Sequence, residues 1–253
     1  MVEKWNITIP QLTGDKERRA YVYLPEEYDP DDEERYPVLY MFDGHNVFFD
    51  EDATYGKSWG MADFLDAVGA RLIVAAVECN HEGNGRLEEY TPVSFRDRVF
   101  GEVNAKGTIY MDWLVDEFKP YIDANYKTLP GREYTAIAGS SMGGLMSLYA
   151  VTAYNRVFSK AAALSPSLWV SKTEILRMLR ECPMKKDTVI YMDYGSREMA
   201  NHRSENSAFR AVTDYLIKNG FAVTSRIVSG GTHTEESWQR QIPVFMQCLG
   251  LDL

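Results

Sequence analysis

The sequence predicts a three-layer α/β fold, in which helices cover both faces of a mostly parallel central sheet and an antiparallel hairpin extends the sheet at the amino end. Short apolar runs with strand character alternate with segments of helical spacing. These runs look buried on both faces, as strands of parallel sheets are. No internal repeat, low-complexity tract or Gly/Ser linker divides the 253 residues. We therefore expect one domain over residues 1–253.

The strands follow one another in chain order. Alternating apolar residues at Trp5, Ile7 and Ile9, and the run 21–24, predict an antiparallel hairpin that turns around Gly14. The acidic stretch 29–34 is typical of a solvated linker. Further short apolar runs predict six strands, at residues 38–42, 72–77, 134–138, 160–164, 188–192 and 222–228.

Helical spacing of apolar residues occupies a segment ahead of Pro120 and another that ends at Asn219-Gly220, a pair typical of a helix stop. Two long stretches, residues 44–58 and 79–106, show neither pattern. Connections of that length in a compact domain usually serve a function. We expect these two stretches to form the walls of a site.

Composition excludes several classes of protein. The formal charge of -10 repels polyanions, so we expect no nucleic-acid partner. The longest strand-like apolar run, 72–77, is far too short to cross a bilayer, and the amino end carries no secretory signal. The cysteines, Cys79, Cys182 and Cys248, are odd in number and far apart, which argues against disulfides or a cysteine-built zinc site. We expect a cytoplasmic protein without a membrane partner, and a homodimer remains open.

The strongest motif is Gly-Ser-Ser-Met-Gly at residues 139–143, a G-x-S-x-G pattern between a predicted strand and a helix over about 142–154. This strand–turn–helix context is the one that a nucleophile elbow requires. It would present Ser141 at the carboxyl edge of the sheet, beside a helix amino terminus that favours a developing oxyanion. The alternative is a mere packing turn. A phosphate loop is disfavoured because no lysine follows.

A serine nucleophile needs a base, and the chain offers four histidines. The chain order serine, acid, histidine excludes His45 and His81. His233 follows a predicted strand, at the sheet edge where α/β proteins build their sites, whereas His202 begins a polar helix. We therefore favour His233.

The acid should come from the loop after the strand at 188–192, which contains Asp193 and Glu198. Asp193 lies next to the strand and could hold the turn. Glu198 lies beyond Gly195, on a loop able to reach an imidazole. We favour Glu198, with Asp193 as the alternative. Either carboxylate would orient the ring and stabilise the imidazolium.

Two backbone amides are candidates for an oxyanion hole. One belongs to Met142, and the other to His45, where Gly44 lets the chain turn after the strand at 38–42. His45 and nearby carboxylates could also be interpreted as metal ligands, namely Asp43, Asp50 and Asp52. Because the spacing of a calcium loop is absent, we expect no metal and no cofactor.

Candidates for substrate contact lie in the same loops. Arg86 could anchor a polar substrate, or it could pair with Glu88 or Glu89. Four aromatic residues could stack on a sugar or an aromatic acyl group, or could instead seal the edge of the core. They are Trp59, Tyr90, Trp169 and Tyr194.

Several longer motifs occur in order: RRAYVYLPEEY, YPVLYMFDGHNVF, RLEEYTP, the block from FKPYIDANY to AGSSMGGLMSLYA, SPSLW, YGSRE and GTHTEESW. Over nearly the whole chain these segments resemble the putative esterase family, which groups esterase D, carbohydrate esterase family 1, mycolyltransferases and enterochelin-type siderophore esterases. The resemblance implies an α/β-hydrolase fold, with nucleophile, base and acid at Ser141, His233 and Glu198. The DGHN turn departs from relatives that hydrolyse S-formylglutathione, and DGHNVF and SPSLW are closer to siderophore-esterase-like branches.

These observations together predict a serine carboxylesterase that works through an acyl-enzyme on a small-molecule ester. The expected substrate is an acylated saccharide or another small ester of acetyl or feruloyl type. A siderophore trilactone is the alternative substrate, and acyl transfer or peptide cleavage is the alternative reaction. A catalytically silent binding protein of the same fold is the alternative class.

Overall fold

A mostly parallel sheet of eight strands runs through the protein, whose computed structural model describes residues 1–199 and 203–251. The sheet and a separate hairpin, β5–β6, comprise β1 (Val2–Thr8), β2 (Glu17–Tyr23), β3 (Val38–Met41), β4 (Ile73–Val77), β5 (Phe95–Asp97), β6 (Gly101–Val103), β7 (Thr135–Ser140), β8 (Lys160–Leu164), β9 (Val189–Gly195) and β10 (Ala222–Val228). The strand order is β1-β2-β4-β3-β7-β8-β9-β10. Strand β2 is antiparallel to both neighbours, and the other pairs from β4 to β10 are parallel, which confirms the predicted fold class.

The helices of the described residues connect these strands. They are α1 (Pro10–Thr13), α2 (Met61–Val68), α3 (Gly85–Glu89), α4 (Gly107–Trp113), α5 (Lys119–Asn125), α6 (Met142–Ala153), α7 (Lys172–Glu181), α8 (Ser196–Met199), α9 (Arg203–Lys218), α10 (Glu235–Gln239) and α11 (Ile242–Leu249). A π-helical segment, Leu114–Phe118, joins α4 to α5. Pro120 is tolerated because it lies in the first turn of α5, where an N–H has no helical partner. None of the described helices is long and apolar enough to cross a membrane.

Two apolar clusters lie on opposite faces of the sheet. Along β3, Val38 and Tyr40 belong to the cluster that packs against α4, α6, α7 and α9. Leu39 and Met41 belong to the other, which packs against α2 and α11. Because successive side chains of a strand point to opposite faces, a central strand covered on both sides is apolar throughout. The sheet is therefore the middle of three layers.

Two predicted elements differ in detail from the structure. The hairpin turn around Gly14 contains the short helix α1, and Gly14 follows it at φ 58°. The run 222–228 is not buried on both faces, since β10 is the last strand of the sheet and Ile227 is 51% exposed. The stop at Asn219-Gly220 is confirmed, because α9 ends at Lys218 and Gly220 has φ 74°.

The carboxyl ends of the parallel strands meet at one edge of the sheet. The two stretches without a predicted element, 44–58 and 79–106, lie over this edge and together supply ten of the residues that line its pocket. The second stretch has structure of its own, since it contains α3 and the β5–β6 hairpin. Both stretches thus form walls of this pocket, and its role as a functional site stays a prediction.

Candidate active site

Ser141 occupies a tight turn between β7 and α6. Its backbone has φ 58° and ψ -119°, a region that residues with a Cβ rarely adopt. A Cβ on Gly139 would lie 2.8 Å from the backbone of Gly143, and one on Gly143 would lie 2.9 Å from Cβ of Phe42. Both glycines of the motif are therefore required by close packing, and the predicted strand–turn–helix geometry is present.

The Ser141 side chain faces a pocket of about 680 Å³, which His233 also lines. In this conformation Ser141 Oγ lies 3.3 Å from the hydroxyl of Ser167. Within the described part of the chain no hydrogen bond joins Ser141 Oγ to His233. Such catalytic hydrogen bonds are often long without substrate and tighten in the complex. The structure thus brings the hydroxyl and the imidazole into one pocket, 92 residues apart in sequence.

His233 is held by Glu198. Nδ1 of the ring lies 2.6 Å from Glu198 Oε2, and the ring edge packs against the indole of Trp238 at a centroid distance of 4.9 Å. The other carboxylate oxygen, Oε1, accepts hydrogen bonds from the Gly195 amide at 2.9 Å and the Ser165 hydroxyl at 2.8 Å. Glu198 is 9% exposed, so these contacts fix a nearly buried carboxylate in one orientation.

Ser165 links this carboxylate to Trp238. The indole Nε1 of Trp238 donates to Ser165 Oγ at 3.0 Å, and Ser165 in turn donates to Glu198. Ser165 is another non-glycine residue in the left-handed region, with φ 44°. The sequence reasoning did not single out Ser165 for this role. Its position directly after β8, at the sheet edge next to the Ser141 turn, is the signal that could have found it.

Asp193, the alternative acid, is held by partners other than the imidazole. Its carboxylate accepts hydrogen bonds from the Tyr191 hydroxyl at 2.7 Å and the Ser165 amide at 3.2 Å. It is 1% exposed, and burial raises the pKa of Asp193 to about 6. Of the two acids, the structure therefore brings only Glu198 to His233. The rejected candidate base, His202, lies outside the described residues.

The predicted oxyanion donors lie on two short turns. Met142 is the first residue of α6, so its amide has no acceptor within the helix. His45 belongs to a 3-10 turn, Gly44–Asn46, that enters the pocket wall. A Cβ on Gly44 would lie 2.9 Å from the backbone of Val77, so only glycine fits there.

Arg86 fixes the start of the His45 turn. Its guanidinium donates from two nitrogens to the two carboxylate oxygens of Asp43, each at 2.7 Å. Burial alone would raise the pKa of Asp43, but the pair with Arg86 outweighs it and lowers that pKa. The expected pairing of Arg86 with Glu88 or Glu89 is wrong, because Lys106 holds Glu88 and Arg18 holds Glu89. Arg86 also lines the pocket.

Three of the four aromatic candidates are not available to a substrate. Trp59, Tyr90 and Tyr194 are 3%, 0% and 1% exposed. Trp59 packs against Trp238, the Tyr90 hydroxyl accepts the Asp43 amide, and the Tyr194 hydroxyl donates to the Pro166 carbonyl. Their expected stacking on a substrate is therefore wrong. They seal the core instead, which was the alternative.

Trp169, the fourth aromatic candidate, lies outside the pocket lining. Its ring packs against Phe95 and Phe100, on or beside the β5–β6 hairpin. The aromatic side chains that do line the pocket are Tyr55 and Trp238. Sequence reasoning singled out neither, although Trp238 ends the GTHTEESW motif and Tyr55 lies in the stretch 44–58.

The carboxylates considered as metal ligands with His45 are committed to other partners. Asp43 pairs with Arg86, Asp50 accepts hydrogen bonds from Ser58, and Asp52 pairs with Lys4 and Arg19. The His45 ring has its described hydrogen bond with the Thr54 hydroxyl rather than with these carboxylates. It is 2% exposed, and burial lowers the pKa of His45 to about 4, so the ring is neutral near pH 7.

The fold and the pocket define an α/β-hydrolase-type enzyme. The family model described as Putative esterase matches residues 13–247, and the chain belongs to that family. The protein is accordingly an ester-hydrolysing enzyme.

Three relatives illustrate the similarity. The uncharacterized protein YbbA of Bacillus subtilis (strain 168) is 27% identical over 185 residues, covering 72% of this chain and 69% of that protein. An IroE-like serine hydrolase from Shewanella oneidensis matches with a TM-score of 0.75 and 19% identity, covering 100% and 89%. The ferulic acid esterase AmCE1/Fae1A from Anaeromyces mucronatus matches with a TM-score of 0.67 and 19% identity, covering 98% and 89%. At such identities the two solved structures show the fold.

Proposed function

We propose that the protein is a serine carboxylic-ester hydrolase that works through an acyl-enzyme, with Ser141 as nucleophile, His233 as base and Glu198 as the orienting acid. The observation that carries this proposal is the pocket shared by Ser141 and His233, together with the 2.6 Å contact between His233 Nδ1 and Glu198. A serine hydroxyl is unreactive without a base, and an imidazole serves only when its tautomer is fixed.

In this mechanism a proton moves from Ser141 to His233 and then to the leaving alcohol. His233 Nε2 takes the Ser141 proton as Oγ attacks the ester carbonyl, and the imidazolium is stabilised by the Glu198 carboxylate. The same proton then passes to the departing alcohol, which leaves an ester on Ser141. His233 next activates a water molecule, which releases the acid and restores the hydroxyl.

The negative charge of the tetrahedral intermediate would be held by the amides of Met142 and His45. Both amides belong to first turns of helical segments, where N–H groups point outward without a partner. One such donor contributes about 2.7–4 kcal/mol to the barrier reduction. The pair of Arg86 with Asp43 keeps the His45 turn in place, so Arg86 acts as a positioning residue here.

For the substrate we propose an acylated saccharide or another small ester of acetyl or feruloyl type. A pocket of about 680 Å³ has the usual size for small-molecule sites. Its wall carries polar groups of both signs, among them Arg86, His81 and the mostly buried carboxylate of Glu235. Donors and acceptors in that mixture suit the hydroxyls of a sugar. Tyr55, which lines the pocket and is 81% exposed, offers an apolar face for an acyl group.

A siderophore trilactone is the second candidate substrate. The cationic side chain of Lys57 in the pocket wall favours it, since an iron-loaded trilactone is anionic, whereas the charge of Arg86 is compensated by Asp43. The formal charge of -10 opposes it, because the summed field repels such a ligand. We therefore rank it below a neutral acylated saccharide.

Steady-state hydrolysis of a short-chain nitrophenyl ester tests the mechanism. We expect Ser141→Ala and His233→Ala to abolish turnover while keeping the circular dichroism of the wild type. Ser167→Ala is the matched control, since it removes the other hydroxyl in contact with Ser141 and should keep most of the activity. Full activity in either of the first two variants would refute the mechanism. A folded wild type that hydrolyses no ester would favour the silent binding protein.

A substrate panel then separates the candidates. Acetyl-xylan, methyl ferulate and an iron-chelating trilactone are compared by kcat/KM. A preference for the trilactone would overturn the saccharide proposal, whereas a preference for either of the others would support it. Partitioning of the acyl-enzyme to an added alcohol, or cleavage of an amide analogue, would indicate acyl transfer or peptide cleavage instead.

A further inference from the structure

A second cluster of reactive side chains lines the same pocket as Ser141 and His233. His45 follows β3, and Cys79 and His81 follow β4, the neighbouring parallel strand. One ligand atom from each of the three side chains lies within 4.8 Å of the others. The chain therefore brings two imidazoles and a thiol together at the sheet edge, although 34 residues separate His45 from Cys79.

The His45 ring has a nitrogen without a partner. Nε2 lies 3.0 Å from the Thr54 hydroxyl, whereas Nδ1 is buried and has no hydrogen-bond partner in the described structure. The ring is 2% exposed and packs edge-to-face on His81, with 4.6 Å between the ring centroids. Burying a ring nitrogen without a partner is costly, and such groups usually mark a function or a missing ligand.

The histidines of the cluster also have the outer contacts typical of metal ligands. His81 Nε2 lies 2.9 Å from Glu78 Oε1, and Glu78 is itself held by the Arg19 guanidinium at 2.7 Å. A ligating histidine almost always donates its other N–H to a carboxylate, a backbone carbonyl or water, which fixes the tautomer and leaves the first nitrogen free. Glu78 serves His81 in this way, and the Thr54 hydroxyl oxygen offers His45 a comparable acceptor.

We propose that His45, Cys79 and His81 bind a zinc-class divalent cation, through Nδ1 of both rings and Sγ of Cys79. Two imidazoles and a thiolate suit Zn²⁺, which takes such ligands in tetrahedral sites, and the fourth position would face the pocket. Tetrahedral bond lengths place ligand atoms about 3.4 Å apart, so separations that now reach 4.8 Å would contract by up to about 1.4 Å on binding. His81 is half exposed and free to make that movement. Burial and the neighbouring Asp43 carboxylate raise the pKa of the Cys79 thiol, so the incoming ion would have to displace the thiol proton to solvent.

This site differs from the carboxylate set considered from the sequence. The wide spacing of the three cysteines argues only against a site built from several thiols, and here one cysteine combines with two histidines. This step rests on the proposed function: an ion held beside the His45 turn would lie next to the oxyanion amide and compete with substrate. Zinc should therefore inhibit ester hydrolysis.

Metal binding is tested on the metal-free full chain, independently of activity. Titration with Co²⁺ should produce the near-ultraviolet thiolate-to-cobalt absorption at one ion per chain, and calorimetry with Zn²⁺ should give the same stoichiometry. Cys79→Ser should abolish the absorption. His81→Ala, at a half-exposed position that should not affect folding, should weaken Zn²⁺ binding at least about tenfold. Cys182→Ser and Cys248→Ser are matched controls, since both thiols are partly exposed and should leave the absorption unchanged.

The results separate this proposal from the esterase proposal. A cobalt–thiolate band that survives Cys79→Ser, or no saturable binding by the wild type, would overturn the metal site whatever the enzyme hydrolyses. A wild-type band that disappears with Cys79 would support the site even in a protein inactive on every ester. If zinc inhibits the wild type and Cys79→Ser to the same extent, the inhibition arises elsewhere and the link to the pocket is refuted.

Discussion

Replacing Glu198 with glutamine removes one charge, and the surrounding contacts decide how the new amide is oriented. The Oε1 position accepts the Gly195 N–H at 2.9 Å and the Ser165 hydroxyl at 2.8 Å. An NH₂ group at that position would leave the Gly195 amide without an acceptor and would also compete with the Trp238 N–H for the Ser165 oxygen. The amide oxygen therefore takes the Oε1 position, and the NH₂ group faces His233.

That orientation gives the imidazole the wrong tautomer. An NH₂ group donating to His233 Nδ1 requires this nitrogen to be unprotonated, so the ring proton lies on Nε2 and cannot accept another from Ser141. The carboxylate that stabilised the imidazolium is also gone. In serine proteases the matching change lowers kcat by about 10⁴. We expect Glu198→Gln to lower kcat by about 10³ to 10⁴, or roughly 4 to 5.5 kcal/mol in the barrier.

The assay is kcat on a nitrophenyl ester, with unfolding by urea as the check on folding. Asp193→Asn is the matched control, because the Asp193 carboxylate contacts Tyr191 and Ser165 rather than the imidazole. We expect this variant to keep most of its kcat. If Glu198→Gln retains more than about a tenth of wild-type kcat, or if both variants lose kcat equally, the tautomer argument fails.

Three further predictions concern stability. Burial raises the pKa of Asp193 from 3.8 to about 6, so the folded state keeps a proton that the unfolded chain releases, and wild-type stability falls as pH rises between these values. Above pH 6, Asp193→Asn should have a free energy of unfolding up to about 3 kcal/mol higher than that of the wild type, and this difference should vanish near pH 4. Urea titrations that show no difference at high pH would contradict this. Arg18→Met should lower the free energy of unfolding by about 3–5 kcal/mol, because it leaves the Glu89 carboxylate buried without its cationic partner. The control Arg177→Met removes an exposed ion pair and should lower it by under about 1 kcal/mol. Equal losses in the two variants would contradict this prediction. Gly139→Ala should lower the free energy of unfolding by about 1–3 kcal/mol, because the new Cβ meets the backbone of α6. The melting temperature and the rate of ester hydrolysis should both fall. An unchanged melting temperature would argue against the close packing.

The proposed triad could be located from the sequence because its constraints are local. The turn at Ser141 needs glycines at fixed offsets, and a histidine after the last strands must lie at the same sheet edge. The two acids were distinguishable by their distance from the strand end. Asp193 is still within β9, where its side chain is buried, and Glu198 follows Gly195. The order of strands and loops along the chain was therefore sufficient to predict the three residues of the proposed triad.

The rest of the site depends on contacts between distant segments. A sequence does not show which face of a loop is covered, so Tyr90 and Tyr194 resembled stacking residues although both are core residues. Likewise, Arg86 lies next to acidic residues in sequence but pairs with Asp43, 43 positions away, because β3 and β4 are neighbours in the sheet. Because β3 and β4 are neighbours, the Cys79 side chain likewise lies close to that of His45.

At position 141 the backbone conformation lowers stability, whereas the proposed activity requires the serine side chain that makes this conformation unfavourable. A residue with a Cβ held at φ 58° and ψ -119° stores roughly 1–3 kcal/mol, which glycine would release. A laboratory selection for heat resistance alone would thus be expected to enrich glycine there and return well-folded, inert proteins. Any effort to harden this enzyme should hold position 141 constant and look for its gains elsewhere in the chain.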